Sequence, residues 1–252
     1  MLFSKLKGII TAFEFRGLFA AIFTWPKFSI ASFIIISRVK KLDINPSTVI
    51  DLGANKGQFA VAAAKIFEGV KIYSVEPDPC IAVILKKNLQ DIAHALVFET
   101  AIGDSTGEVK FHINKDSQVS SILPLGKDRI SMHPSSTVIK MVKVPLTTLD
   151  ALFENEVLVL PILLKIDVQG FEDKVLKGGT KLLEKINWVI IEVSFANLYE
   201  GECDFVDILE IMKELGFMFK VPLNWHTSPH SKQVIEMDAL FQKISENKMI
   251  DK

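Results

Sequence analysis

Short apolar runs alternate with amphipathic stretches along the chain, and glycines or prolines mark the joins. Val49 and Ile50 open a buried-type strand that reaches Asp51, turns through Gly53 and Gly57, and enters an alanine-rich predicted helix, Phe59 to Phe67. Gly69 suits a left-handed helix cap, and Val70 to Val75 predicts a second strand ending at Glu76. Asp78-Pro79 reads as a helix start, with Asp as N-cap and Pro at the first helical position. Ile81, Ile84, Leu85, Leu89 and Ile92 then form one predicted apolar face. Ala95 to Ile102 predicts a third strand closing at Gly103-Asp104, and Glu108 to Ile113 alternates as an added strand with His112 on its exposed side.

Residues 114–141 lose periodicity and are rich in Ser, Pro, Gly and Lys, which predicts a substrate lid. A short strand, Val142 to Leu146, and a helical turn at Thr147 to Asp150 follow. Ile162 to Gly170 is apolar on both faces until Asp167 arrives at its end. Phe171 to Gly178 predicts a helix, Thr180 caps the next, and Trp188 to Val193 is a fifth strand carrying Glu192. A helix from Asp204 to Leu215 stops at Gly216, and Phe217–Val221 with Ala239–Lys243 predicts a terminal strand pair.

Strands alternating with helices predict an α/β fold with a parallel sheet, and such sheets bind ligands beyond the carboxyl ends of their strands. Those ends carry Asp51, Glu76, Asp104, Asp167 and Glu192. The first turn is D-x-G-x-x-x-G, not the dinucleotide G-x-G-x-x-G. Without the middle glycine a pyrophosphate finds less exposed backbone, and Asp51 repels phosphate but suits an amine or sulfonium such as S-adenosylmethionine carries. Glu76 follows Gly57 by about 20 residues, the separation at which an acid reaches ribose hydroxyls. Asp104 is placed to accept from an adenine amino group.

A chain of 252 residues with 49% apolar content holds one large core. Its formal net charge of −1 excludes a general nucleic-acid binder. Charge is uneven, however. Residues 1–41 hold Lys5, Lys7, Arg16, Lys27, Arg38, Lys40 and Lys41 against Glu14 alone, amid many aromatics. We expect residues 1–45 to form a helical appendage and 46–252 the catalytic domain. Two readings of the appendage stand: packing on the domain, or peripheral contact with an anionic membrane. Its uncharged runs are too short to span a bilayer, and no convincing signal-peptide cleavage site is present. Cys80 and Cys203 make neither a zinc framework nor a disulfide scaffold, which fits a reducing, cytoplasmic compartment and predicts two buried packing residues.

The stretches VIDLGANKGQF, YSVEPDP, AIGD, VPLTTLDAL, LLKIDVQGFEDKVLKGG and IIEVSF together resemble the FkbM family of S-adenosylmethionine-dependent methyltransferases, over roughly residues 46–243. The resemblance implies the class I methyltransferase (Rossmann-like) seven-stranded sheet, six strands parallel and the last reversed, with helices on both faces. It implies methyl transfer to a hydroxyl of a sugar, glycan or secondary metabolite. Asp51, Gly53, Asn55 and Gly57 would line the methionine end of S-adenosylmethionine, Glu76 its ribose and Asp104 its adenine. Family members commonly carry Glu where this chain has Gln169, which removes any base at that position. Asp167 is the first candidate for the base that an alcohol acceptor requires, with Glu192 supporting it. His133, His226 and His230 are weaker candidates. No His/Asp/Glu spacing predicts a metal site, although Asp167 with Glu192 leaves a magnesium ion open. A nicotinamide dehydrogenase is disfavoured by the missing fingerprint. A non-catalytic adenosyl-binding or membrane-tethered scaffold remains the alternative.

Overall fold

The structure is a computed structural model and describes residues 17–25, 27–132, 137–228 and 231–244. Its centre is a seven-stranded sheet in the order β3-β2-β1-β7-β8-β10-β9. The strands are β1 (Thr48–Leu52), β2 (Lys71–Val75), β3 (Ala95–Phe98), β7 (Ile162–Ile166), β8 (Trp188–Ser194), β9 (Phe217–Thr227) and β10 (Val234–Lys243). The pairings from β3 to β8 are parallel, and β10 runs antiparallel to both β8 and β9. Six strands therefore share one direction and the last in sequence is reversed, the class I methyltransferase arrangement.

One face is covered by α2 (Ile30–Lys41), α3 (Gln58–Ile66) and α4 (Pro79–Leu89), whose apolar residues pack on Val49, Ile72, Leu163 and Ile190. The other face, with Ile50, Tyr73, Leu164 and Ile191, is covered by α6 (Leu149–Leu152), α7 (Glu172–Lys177), α8 (Thr180–Leu183) and α9 (Phe205–Glu214). β1 and β7 are buried on both faces along their whole length, which is why they read as continuous apolar runs. The N-caps follow the sequence signals. Asp78 accepts from the Cys80 and Ile81 amides, and Asp204 forms a capping box with Asp207.

The third predicted strand is in fact two. The chain leaves the large sheet at Glu99-Thr100, and β4 (Ala101–Gly103) joins a small sheet of order β4-β6-β5, with β5 (Gly107–Asn114) and β6 (Val138–Thr148). β6 is much longer than the predicted Val142 to Leu146, because β5 pairs with it from end to end. The predicted lid is not structureless either. It contains a 3-10 turn (Ser117–Val119) and α5 (Lys127–Met132). Backbone bonds from Gly126 to the Leu198 carbonyl (2.7 Å) and from Glu200 to the Pro124 carbonyl (2.9 Å) fasten it to the loop after β8.

Other expectations are corrected. Ile84 is 39% exposed, because α4 turns Ala82, Leu85 and Leu89 inward. Cys80 is exposed in the first turn of α4, and Cys203 is half-buried. His112 is half-buried, with its Nδ1 enclosed and without a partner among the described residues. In the N-terminal segment, Ile36 and Val39 of α2 are wholly buried against the α3 face of the sheet. Helix α1 (Leu18–Thr24) packs Leu18 and Ala21 on Phe33 and leaves Phe19, Ile22 and Phe23 exposed along one side. Among the described residues no helix is long and apolar enough to cross a membrane.

Candidate active site

The turn after β1 is pressed against the end of β7. A Cβ on Gly53 (φ +75°) would stand 1.8 Å from the Asp167 carbonyl oxygen, so only glycine permits that approach. Gly57 caps α3 with φ +87°, and a Cβ there would meet Leu85 at 2.8 Å. Between the two glycines, the Asn55 amide donates to Glu76 Oε2 and the Asp78 amide to Oε1, both at 2.8 Å. Glu76 is thereby pinned at the end of β2. Burial pushes its carboxyl up to about 7, against the pull of those two amides.

Asp51 differs from Glu76 in having no such support. It is fully buried, and among the described residues neither carboxylate oxygen has a partner at full hydrogen-bond geometry, although the Ala60 amide lies near enough to favour its charged form; the neighbouring Ser74 hydroxyl, in register on β2, likewise has none. Burial raises Asp51 to about 6, with the Lys165 charge opposing. A buried acid with so few donors is costly, and a bound cation would add to the partial relief that Lys165 and the Ala60 amide give it.

Gly53, Asn55, Glu76, Thr100, Asp167 and Gln169 are among the residues that line one pocket at these strand ends. Gly57 and Asp51 are not among its lining residues. Asp104 is not in the lining, and its nearest cation is Lys177 at 3.7 Å. The break in the third strand explains this, since it brings Thr100 to Ile102 to the pocket and carries Asp104 past it. Ser117, Gln118 and Ser120 of the lid also line it, and the Ser117 hydroxyl meets the Asn55 side chain at 3.2 Å. Sequence reasoning missed these residues; the only signal was a serine-containing stretch inside the predicted lid.

Ser117, Gln118, Asp167 and Gln169 also border a larger adjoining cleft of about 1190 Å³, which adds Arg129, Glu192, His226 and Glu236. At the junction Asp167 accepts from Lys165 Nζ (2.6 Å, Oδ2) and from Gln169 Nε2 (2.7 Å, Oδ1). Burial alone would raise Asp167, but the Lys165 charge and these bonds outweigh it and hold the carboxyl below its ordinary range. Lys165 is buried too, and Asp167, Asp51 and Asp238 around it keep it firmly protonated against that burial. The Gln169 amide also donates to Glu192 Oε2 at 2.6 Å. Burial, then Asp167, Glu236 and Asp238, push Glu192 well above the usual carboxylate range.

Among the described residues no three His, Cys, Asp or Glu side chains are grouped to hold a metal ion. Between Asp167 and Glu192 the Gln169 amide donates to both. His226 is exposed at the cleft, while His133 and His230 lie outside the described residues.

Residues 51–219 match the family described as the methyltransferase FkbM domain. The chain belongs to this family. This FkbM methyltransferase is 26% identical to the 2-O-methyltransferase NoeI of Sinorhizobium fredii over 75% of its own length and 79% of that protein. It is 31% identical to the hexuronic acid methyltransferase AglP of Haloferax volcanii, over 57% of this chain and 54% of AglP. Among solved structures it is similar to the magnesium protoporphyrin IX methyltransferase of Synechocystis PCC 6803 with bound S-adenosylmethionine. That match has a TM-score of 0.47 and 10% identity and covers 85% of this chain and 78% of that one.

FkbM methyltransferases of this kind use S-adenosylmethionine, and the pocket fits it. The orphaned Asp51 carboxylate, next to the glycine turn, suits a ligand with an ammonium and a sulfonium. Glu76 spends one lone pair of each oxygen on backbone amides and keeps the others for hydroxyl donors.

Proposed function

We propose that this enzyme transfers the methyl group to a hydroxyl oxygen of a sugar or glycan, leaving a methyl ether. The observation that carries the reading is the pair Asp167 and Glu192, bridged by Gln169 where the cofactor pocket opens into the large cleft. An alcohol must lose its proton as it attacks, so it needs a base within reach; a carboxylate acceptor does not. The printed activities of NoeI, a 2-O-methyltransferase, and of AglP, which acts on a hexuronic acid, support a carbohydrate acceptor.

In this reading Asp51 faces the cationic end of S-adenosylmethionine, Gly53 and Asn55 offer backbone, and Glu76 receives the ribose hydroxyls. The adenine lies toward Thr100 to Ile102 rather than Asp104. Bound there, S-adenosylmethionine supplies a methyl already activated as part of a sulfonium and departs as a neutral thioether. The protein's share is alignment and proton removal. Alignment alone is worth several kcal/mol. Asp167, fixed in its ionised form by Lys165, marks the reaction centre. The test is transfer of labelled methyl to sugar acceptors and identification of the labelled atom.

We further infer that residues 1–41 attach the enzyme to anionic membrane surfaces. The exposed side of α1, with Phe19, Ile22 and Phe23, and the seven bases against one acid in this segment support that partner.

A further inference from the structure

We propose that Glu192, and not Asp167, takes the proton from the acceptor hydroxyl, and that Gln169 positions it for that step. This rests on the O-methylation reading above. The first reason is occupancy. Both oxygens of Asp167 are engaged, one by Lys165 at 2.6 Å and one by Gln169 at 2.7 Å. Glu192 is engaged by Gln169 at Oε2 (2.6 Å) and shares a side-chain hydrogen bond with Asp167, but among the described residues no cation bonds it. Glu192 is half-buried and lines the acceptor cleft but not the cofactor pocket, whereas Asp167 lines both, so Glu192 is the carboxyl of the pair set on the acceptor's side and free of a bonded cation.

The second reason is that Gln169 can take only one orientation. Its carbonyl accepts from the buried Tyr199 hydroxyl, and its amide faces two carboxylates. A flipped amide would set its oxygen against both acids and leave Tyr199 facing donors. The backbone is fixed as well. Gln169 has φ +59°, which is uncommon for a residue other than glycine. Its carbonyl accepts from the Ser121 hydroxyl at 2.5 Å. A strained residue held by four side-chain partners is a positioning device.

The surroundings favour a proton on Glu192. Facing it are Asp167 from β7, Glu236 and Asp238 from β10, Lys165, Arg129 from α5 and Tyr199, with His226 opposite Glu236 on β9. Lys165 bonds Asp167, and Arg129 bonds Glu236. The cations thus bond the neighbours, and Glu192 is left more basic than Asp167. One carboxyl held low beside one held high is the arrangement that separates an ionised anchor from a proton acceptor. In the step itself the acceptor O–H bond breaks and its proton goes to Glu192. The freed pair forms the O–C bond, the C–S pair stays on sulfur, and Asp167 remains ionised. Glu192 then loses its proton to solvent through the cleft.

Two measurements test this, one of them independent of any acceptor. The sulfonium of S-adenosylmethionine brings positive charge close to the pair, whereas the sulfur of S-adenosylhomocysteine is neutral. Calorimetry in buffers of different ionisation enthalpy, on the alkaline side of the values of Asp51 and Glu76 so that both are already ionised, should therefore show more proton release with S-adenosylmethionine than with S-adenosylhomocysteine. The difference should vanish in Glu192→Gln and persist in Glu192→Asp and Asp167→Asn. An equal release for the two ligands in the native enzyme, or a difference that survives Glu192→Gln, overturns the assignment whether or not an acceptor is known.

With an acceptor in hand, kcat should rise with pH along a limb that Glu192→Gln abolishes, with kcat down by about 10²–10⁴-fold while the uncharged S-adenosylhomocysteine still binds. Gln169→Met should lower kcat and move the limb to higher pH, because Glu192 loses a donor to its charged form, while KM stays close to native. A limb that follows Asp167→Asn instead would return the role to Asp167. If no hydroxyl is methylated but the proton release follows Glu192, the acceptor reading fails and the proton site stands.

Discussion

Lys165 Nζ lies 2.6 Å from Asp167 Oδ2, and the lysine is almost entirely enclosed. The two residues share one face of a strand that is otherwise apolar, and Asp51 is the cross-strand partner of Lys165 on β1. One buried cation thus serves Asp167, Asp51 and Asp238. Lys165→Met should cost about 3–5 kcal/mol of stability, the loss expected when one partner of a buried ion pair is removed. Denaturant unfolding checks this, with Lys165→Met/Asp167→Asn expected to recover part of the loss. A melt unchanged by Lys165→Met would mean that the acids are protonated and need no cation.

The pocket lining separates two strand-end acids that the sequence treats alike. Glu76→Ala should weaken S-adenosylmethionine binding by roughly 1.5–3 kcal/mol, the range for hydrogen bonds to a charged group. Asp104→Ala should leave it unchanged within about two-fold, since Asp104 faces Lys177 outside the lining. Calorimetric titration distinguishes them, and equal losses for both would place adenine against Asp104 after all.

Stability should depend on pH through the same acids. Glu76 is raised from 4.5 to about 7 and Asp51 from 3.8 to about 6. Between those values the folded chain holds protons that the unfolded chain has released, so stability is greatest at the acid end and falls as pH rises toward 7. Asp167, held low, acts in the opposite sense, but only below the ordinary carboxylate range. Stability measured without cofactor should fall by a few kcal/mol between about pH 4 and 7. Glu76→Gln should flatten that slope, and an identical slope in the variant would show that Glu76 does not carry it.

Membrane attachment is tested by flotation with anionic vesicles. The native chain should float, less so as salt rises, because screening removes the electrostatic part. Phe19→Ser with Phe23→Ser should reduce binding at least ten-fold, given about 1.5–3 kcal/mol per buried aromatic side chain. Both residues are exposed, so the variant should keep its melting temperature. Undiminished flotation would remove the proposal.

The strands and helices of the large sheet were legible because each carries its own local cause. β1 and β7 are buried on both faces, Gly53 and Gly57 sit where φ is positive, and Asp78 and Asp204 cap their helices. Asp167 and Glu192 could be placed at strand ends for the same reason. What was not legible depends on distant partners. Strand three breaks at Thr100 because β6, more than 35 residues later, offers Ala101 to Gly103 a partner. The serines of the lid reach the pocket through contacts with Asn55 and with the loop after β8. Gln169 reads in sequence as a lost base, and only its contacts with Asp167, Glu192 and Tyr199 reveal a bridge.

The central claim is that this FkbM methyltransferase methylates a carbohydrate hydroxyl. The most direct measurement supplies S-adenosylmethionine with a labelled methyl to a panel of neutral sugars, uronates and glycans, followed by mild alkali and mass spectrometry. The account predicts an alkali-stable methyl ether on a ring oxygen substituent, formed by the native enzyme and reduced at least a hundred-fold by Glu192→Gln. Label released by alkali as a methyl ester, or found on nitrogen, would contradict it.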